Sequence, residues 1–224
     1  FSMIPALLAV VVLALGAREV TRSAGVAPRA GSPRAPLGRT FLGFVGILVV
    51  FTLGNSSDAF LILRAQNAGL GVIAILGMML TFNLVYALVA TPAGALSDRL
   101  GRRRLLLLGW LLYGLTYLGF AVLRAGWQAW LLMLLYGVYY GLTEGAAKAF
   151  VADLVPAEAR GSAYGLFNAA IGLAALPASV LAGLLWQGIG TWPGFGPSAP
   201  FLFGAGMALL AAMLLMLLPR PQES

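Results

Sequence analysis

Between two long apolar runs lies the stretch Gly94-Ala95-Leu96-Ser97-Asp98-Arg99-Leu100-Gly101-Arg102-Arg103-Arg104. In this stretch four arginines surround one aspartate, and the glycines allow the chain to turn tightly. The flanking runs, at about 72–92 and 105–123, each approach the length of about 20 apolar residues with which a helix crosses a bilayer. Because basic residues are retained on the cytoplasmic side of a membrane, the stretch predicts a cytoplasmic turn between two transmembrane helices.

The composition of the whole chain agrees with this interpretation. The 224 residues are 61% hydrophobic and 9% charged, and the mean hydropathy is +0.94. A soluble domain is about half apolar and about a quarter charged. The chain is therefore not a soluble enzyme, a disordered tail or an ordinary nucleic-acid-binding domain, although its net charge is +7. It contains neither Cys nor His, so we expect no disulfide, no metal site and no cofactor.

Six apolar runs predict an all-α membrane protein. The predicted spans lie at about 41–63, 72–92, 105–123, 128–152, 162–187 and 200–218. The runs are continuously apolar and lack the alternation of a membrane β-barrel. Residues 1–17 form a shorter run without an initiating Met or a basic segment, which we interpret as the end of a further helix of a longer chain.

The placement of arginine predicts the orientation in the membrane. The loops at 18–40, 97–104 and 153–161 and the tail at 219–224 hold eleven arginines, whereas the alternate loops hold only Arg64 and Arg124. We therefore expect residues 18–40 to form a cytoplasmic linker and the C-terminus to be cytoplasmic. The preference for Arg over Lys is typical of GC-rich bacterial genomes, which favours the bacterial inner (plasma) membrane as the location.

Polar residues inside the predicted spans are unevenly distributed. The spans at 105–123 and 200–218 contain no Asp, Glu, Lys, Arg, Asn or Gln, and we expect them to face lipid. The charged residues lie on the first span of each of two triplets, 41–123 and 128–218. This distribution favours two inverted three-helix repeats, as in one half of a secondary transporter.

A second patterned loop follows at Asp153-Leu154-Val155-Pro156-Ala157-Glu158-Ala159-Arg160-Gly161. Both loops resemble motifs of the major facilitator superfamily: the G-x-L-x-D-R-x-G-R-R motif after the second helix of a six-helix half, and the acidic-x-x-P-x-x-x-R-G pattern between the fourth and fifth helices. With the long linker before them, they identify the chain as the C-terminal six-helix half of such a transporter, whose N-terminal half lies elsewhere in the full protein. The resemblance implies a cytoplasmic gate formed by Gly94, Asp98, Arg99, Gly101, Arg102, Arg103, Asp153, Arg160 and Gly161. The alternative is that the basic loop only fixes the topology.

The charged residues within spans are candidates for energy coupling. An ionisable residue in a membrane span is costly and is a functional-site hypothesis by default. Asp58 could exchange a proton as access to it alternates; the alternative is a hydrogen-bonded aspartate that stabilises a bend at Gly54. Glu144 and Lys148 are the other candidates, and their alternative is a structural ion pair one helical turn apart.

Amide and phenol groups inside the spans are candidates for the wall of a substrate cavity. Tyr136 and Tyr140 share a helical stripe with Glu144, and Gly137, Gly141 and Gly145 form a neighbouring stripe that permits close helix packing. The cavity candidates are Asn55, Tyr136, Tyr140, Asn83 and Asn168, with Tyr86 and Tyr164 beside the last two. Their alternative role is interhelical hydrogen bonding.

These observations predict a secondary active transporter that moves a small solute by alternating access. No nucleotide-binding G-x-x-x-x-G-K-[ST] loop is present, so protons are the expected energy source, and efflux of a drug or metabolite is one form of this function. The partners would be a small-molecule substrate, protons and the lipid bilayer, and not nucleic acid. Two alternatives stay open: a receptor or scaffold with the same fold, and, less favoured, a membrane-embedded enzyme.

Overall fold

The computed structural model describes residues 37–219. The predicted helix end at 1–17, the linker up to residue 36 and the tail beyond Pro219 lie outside these residues. Within the described part the chain forms α1 (Arg39–Gly54), α2 (Ala59–Asn67), α3 (Val72–Leu100), α4 (Arg102–Ala121), α5 (Gly126–Leu154), α6 (Arg160–Gln187) and α7 (Ala199–Leu217), with a short 3-10 helix at Ala157–Ala159. The prediction of an all-α membrane protein is confirmed.

Between residues 37 and 219, five helical segments are long and apolar enough to cross a membrane. They are Arg39–Asn67, Val72–Leu100, Arg102–Ala121, Ala157–Gln187 and Ala199–Leu217. Helix α5 has 29 residues and is also long enough to cross a membrane, but its tyrosines and charged residues lower its mean hydropathy. The sixth predicted span, at 128–152, therefore stays a prediction.

The first predicted span, 41–63, differs from the structure because the helix is interrupted. Helix α1 ends at Gly54, where the N–H of Asn55 donates to the carbonyls of Phe51 and Thr52. Helix α2 starts only at Ala59, whose N–H donates to Ser57 Oγ at 3.3 Å. Short polar side chains offer hydrogen bonds that compete with the helical backbone. The sequence Asn-Ser-Ser-Asp thus separates two helices within one span.

Helix α4 packs against α5 on one side and α7 on the other. Trp110, Tyr113 and Tyr117 are fully buried on its inner side, whereas Leu108 and Leu115 are exposed on its outer side. The expectation that this helix faces lipid therefore describes only its outer side. The inner side supplies aromatic rings and two phenol groups to the centre of the bundle.

The glycine stripe of α5 lies against α3. A methyl group at Gly141 would lie 2.7 Å from Cγ1 of Val89, and one at Gly137 would lie 2.9 Å from the carbonyl oxygen of Phe82. These two helices approach too closely for larger side chains. At Gly145, nearer the C-terminal end of α5, nothing lies within 4 Å of such a methyl group, so the helices separate there.

Candidate functional site

The interruption between α1 and α2 brings a carboxylate against a buried phenol. The hydroxyl of Tyr136, on α5, donates to Asp58 Oδ1 at 2.8 Å, and the Tyr136 side chain is completely buried. The hydroxyl of Tyr113, on α4, donates to the carbonyl oxygen of Gly54 at 3.0 Å. The helix break is therefore held from two sides by hydroxyl donors.

Asp58 lies in the wall of a cavity that we name the break cavity. It has a volume of about 420 Å³, and its polar wall includes Thr52, Asn55, Ser56, Asp58 and Ser179. The hydroxyl of Ser56 is buried and has no hydrogen-bond partner among residues 37–219. The carboxylate thus belongs to a polar hollow inside a bundle that is otherwise apolar.

Glu144 and Lys148 lie in the wall of a second cavity, which we name the ion-pair cavity. Its volume is about 300 Å³. Lys148 Nζ donates to Glu144 Oε1 at 2.8 Å, and the hydroxyl of Tyr86 donates to Glu144 Oε2. The predicted ion pair between Glu144 and Lys148, one turn apart on α5, is therefore present in the structure. Glu144 has a second partner in the phenol of Tyr86 on α3.

The two cavities share part of their walls. Asn55, Tyr140, Thr52 and Ile171 line both of them. Asn168 lines the ion-pair cavity. The structure thus brings together Asp58, Asn55, Tyr136, Tyr140, Glu144, Lys148 and Asn168 between α1, α4, α5 and α6.

Two of the proposed cavity residues lie elsewhere. Asn83 is exposed, and its amide donates to the carbonyl of Met79 in its own helix at 2.8 Å. The hydroxyl of Tyr164 donates to the backbone carbonyl of Lys148 at 3.0 Å. Their hydrogen bonds are structural, and neither residue lines the two cavities described above.

Three aromatic residues of the site were missed at the sequence level. Tyr113 and Tyr117 stack with ring centroids 4.1 Å apart, and Tyr139 lies 5.0 Å from Tyr113. The signal was present, because Tyr113 and Tyr117 are one helical turn apart and share a face with Trp110. Tyr113 and Tyr117 were not predicted, because the span at 105–123 was expected to face lipid.

At the end of the bundle where α4 begins, the two sequence motifs meet through one arginine. Arg102 forms an ion pair with Asp153 and also donates to the carbonyl of Ala149 at 2.8 Å. Arg103 donates to the carbonyl of Leu215, in α7, at 2.6 Å. Gly101 has φ of +86°, a conformation that favours glycine, and this turn directs both arginines into the bundle.

The other predicted gate residues are exposed. Gly94, Asp98, Arg99, Arg160 and Gly161 lie at the surface. The structure shows no ion pair of Asp98 with another residue between 37 and 219. The role of Asp98 in the gate therefore stays a prediction.

The long apolar helices define a multi-pass integral membrane protein, and its bundle encloses polar cavities. The sequence model described as Major Facilitator Superfamily matches residues 39–224, and the chain belongs to this family. This places it with transporters rather than enzymes.

Individual relatives agree with this assignment. An uncharacterized MFS-type transporter of Methanocaldococcus jannaschii is 37% identical over 179 residues, which are 77% of this chain and 43% of that protein. Multidrug resistance protein 2 of Bacillus subtilis is 28% identical over 79% of this chain and 41% of its own length. Tetracycline resistance protein, class E, of Escherichia coli is 30% identical over 62% of this chain and 34% of its own length. The chain thus spans less than half the length of these relatives.

Proposed function

We propose that the chain is the C-terminal half of a secondary transporter that moves a small solute by alternating access, coupled to protons. The observation that carries the proposal is the position of Asp58 at the interruption of a membrane span. Broken spans expose polar groups to a central binding site in many transporters. A carboxylate in a cavity wall can take up and release a proton when water reaches it from alternate sides.

The cytoplasmic contacts support the alternating part of the proposal. Arg102 ties the start of α4 to the end of α5, and its side chain and that of Asp153 are 30% and 44% exposed. An ion pair in contact with water contributes little to stability, so it can form and break at low cost. The pair is suited to a gate that closes in one access state.

We further propose that transport is directed outward and that the substrate is a drug or a metabolite. Support comes from relatives named for multidrug and tetracycline resistance. The proposed location is the bacterial inner membrane with the C-terminus in the cytoplasm, following the arginine distribution.

The test is solute flux by the full-length protein in proteoliposomes, with tetracycline as the probe. Flux should depend on an imposed pH gradient and should stop when a protonophore collapses it. Saturable flux whose rate does not change with the pH gradient would contradict proton coupling. If the protein binds tetracycline but moves none, the result would favour the receptor or scaffold instead.

A further inference from the structure

The ion pair in the ion-pair cavity is open to the cavity space. The side chain of Glu144 is 41% exposed and that of Lys148 is 55% exposed. Both residues belong to the wall, so a solute can reach both charges. The second carboxylate oxygen of Glu144 is held by Tyr86, which fixes the carboxylate in its orientation.

Aromatic rings form another part of the same wall. Phe51 stacks on Trp110 with ring centroids 4.7 Å apart and an interplanar angle of 12°. Tyr139, Tyr140 and Phe167 also line the cavity. Its volume of about 300 Å³ lies at the small end for ligand pockets. The wall therefore suits a small planar group beside a pair of opposite charges.

The two wall charges disfavour a solute that carries a single charge. A cation that approaches Glu144 meets the ammonium of Lys148, and an anion that approaches Lys148 meets the carboxylate of Glu144. A charge left without its partner in a partly desolvated site is unfavourable. A solute with both charges can satisfy both wall groups at once.

The distance within the pair restricts the solute further. Lys148 Nζ and Glu144 Oε1 are 2.8 Å apart. The two charges of a complementary solute must therefore also be close together, so that its ammonium meets the carboxylate while its carboxylate meets the ammonium.

We propose that the ion-pair cavity binds a small aromatic zwitterion whose ammonium and carboxylate groups are adjacent, as in an aromatic α-amino acid. Its ammonium contacts Glu144, its carboxylate contacts Lys148, and its ring packs against the aromatic part of the wall beside Tyr140, which is partly exposed. This inference rests on the proposed transport function, because it names the substrate class of the same site. It concerns binding, which can be measured without transport.

The test is equilibrium binding of radiolabelled L-tryptophan to the purified full-length protein. Three competitors share the indole ring and differ only in charge: tryptamine is a cation, indole-3-propionate an anion and indole-3-propionamide neutral. Unlabelled L-tryptophan should compete at least about tenfold better than each of them, because each lacks a charge-assisted hydrogen bond. If tryptamine or indole-3-propionate competes as well as L-tryptophan, or if L-tryptophan shows no saturable binding, the inference is wrong.

Two variants test the assignment of the charges. Glu144→Gln should weaken L-tryptophan binding about tenfold and make indole-3-propionate the best competitor. Lys148→Met should weaken it similarly and favour tryptamine. Glu158→Gln, which changes an exposed acid outside the cavity, is the control and should bind like the wild type. If both cavity variants keep the wild-type order of competitors, the assignment is contradicted.

This experiment separates the inference from the proposed function. A protein that binds L-tryptophan as expected but shows no flux driven by the pH gradient contradicts proton-coupled transport alone. A protein that moves tetracycline with the gradient but does not distinguish the four indoles contradicts the zwitterion site alone.

Discussion

The two carboxylates inside the bundle differ in the partners that hold them. Asp58 accepts a hydrogen bond from the neutral phenol of Tyr136 and forms no ion pair with another residue between 37 and 219. Glu144 is paired with Lys148. Protonation of Asp58 leaves no cation without its partner, whereas protonation of Glu144 would. At the residue scale, Asp58 is therefore the better site for proton exchange, and Glu144 is better suited to binding.

A pair of Tyr→Phe changes tests the hydrogen bond at Asp58. Tyr136→Phe should lower the free energy of unfolding by about 1.5–3 kcal/mol, the value for a bond to a charged group. The matched control is Tyr117→Phe, because its buried hydroxyl lies beside the neutral hydroxyls of Tyr113 and Ser56 and forms no well-oriented hydrogen bond with a residue between 37 and 219. The control should lose clearly less than Tyr136→Phe, about 1 kcal/mol or less. Chemical unfolding in detergent measures both variants, and equal losses would mean that the bond at Asp58 contributes nothing.

The link between the two sequence motifs, Arg102 with Asp153, can be tested with a double-mutant cycle. Arg102→Ala and Asp153→Ala should each reduce transport strongly, and the double variant should be no worse than either single one, because both remove the same contact. Stability should change by about 1 kcal/mol or less, since the pair is partly exposed. Arg104→Ala, at an exposed position, should leave transport near the wild-type rate. Additive losses would argue against a shared contact.

At the scale of elements, the apolar runs were sufficient to predict the long helices. A bilayer requires internal hydrogen bonding over its full thickness, so a continuous apolar run has few alternatives to a helix. The break at 55–58 was not predicted, since four polar residues within a long apolar window do not show whether a helix bends or stops. The position of the two cavities depends on which faces of α4 and α5 pack together. The spacing of the aromatic residues on these helices indicates those faces only in part.

The packing of α3 on α5 leads to a prediction with a control on the same helix. Gly141→Ala should destabilise the protein by about 1–3 kcal/mol, because the new methyl group would overlap with Val89. Gly145→Ala meets no atom within 4 Å and should be neutral, or stabilising by up to about 1 kcal/mol through helix propensity. In thermal unfolding in detergent, the Tm of Gly141→Ala should therefore lie below that of the wild type. The Tm of Gly145→Ala should lie at or above it. The reverse order would contradict the packing.

At the scale of the whole molecule, two spans carry long apolar faces that the bundle does not cover. Helix α3 exposes Leu76, Leu80 and Leu84, and α6 exposes Leu173 and Leu176. Apolar faces of this length require lipid or further protein. They agree with the proposal that the chain acts as part of a larger membrane protein, with α5 and the break of α1–α2 on the inside.

The orientation in the membrane can be tested by labelling, because the chain has no native cysteine. Glu158→Cys and Thr191→Cys place single thiols at exposed positions just before and just after α6, at its two ends. In intact cells, an impermeant thiol reagent should label Thr191→Cys only, and Glu158→Cys should react only after the membrane is opened. Labelling of Glu158→Cys from outside would reverse the proposed topology.

The central claim, proton coupling through Asp58, is tested most directly by one comparison in proteoliposomes. The full-length wild type and Asp58→Asn are each assayed for tetracycline accumulation under an imposed pH gradient and for tetracycline exchange without one. Asparagine keeps the size and the acceptor oxygen of aspartate but cannot carry the proton. We expect Asp58→Asn to lose accumulation while it retains exchange. If the variant still accumulates the solute in response to the gradient as the wild type does, Asp58 is not the coupling site.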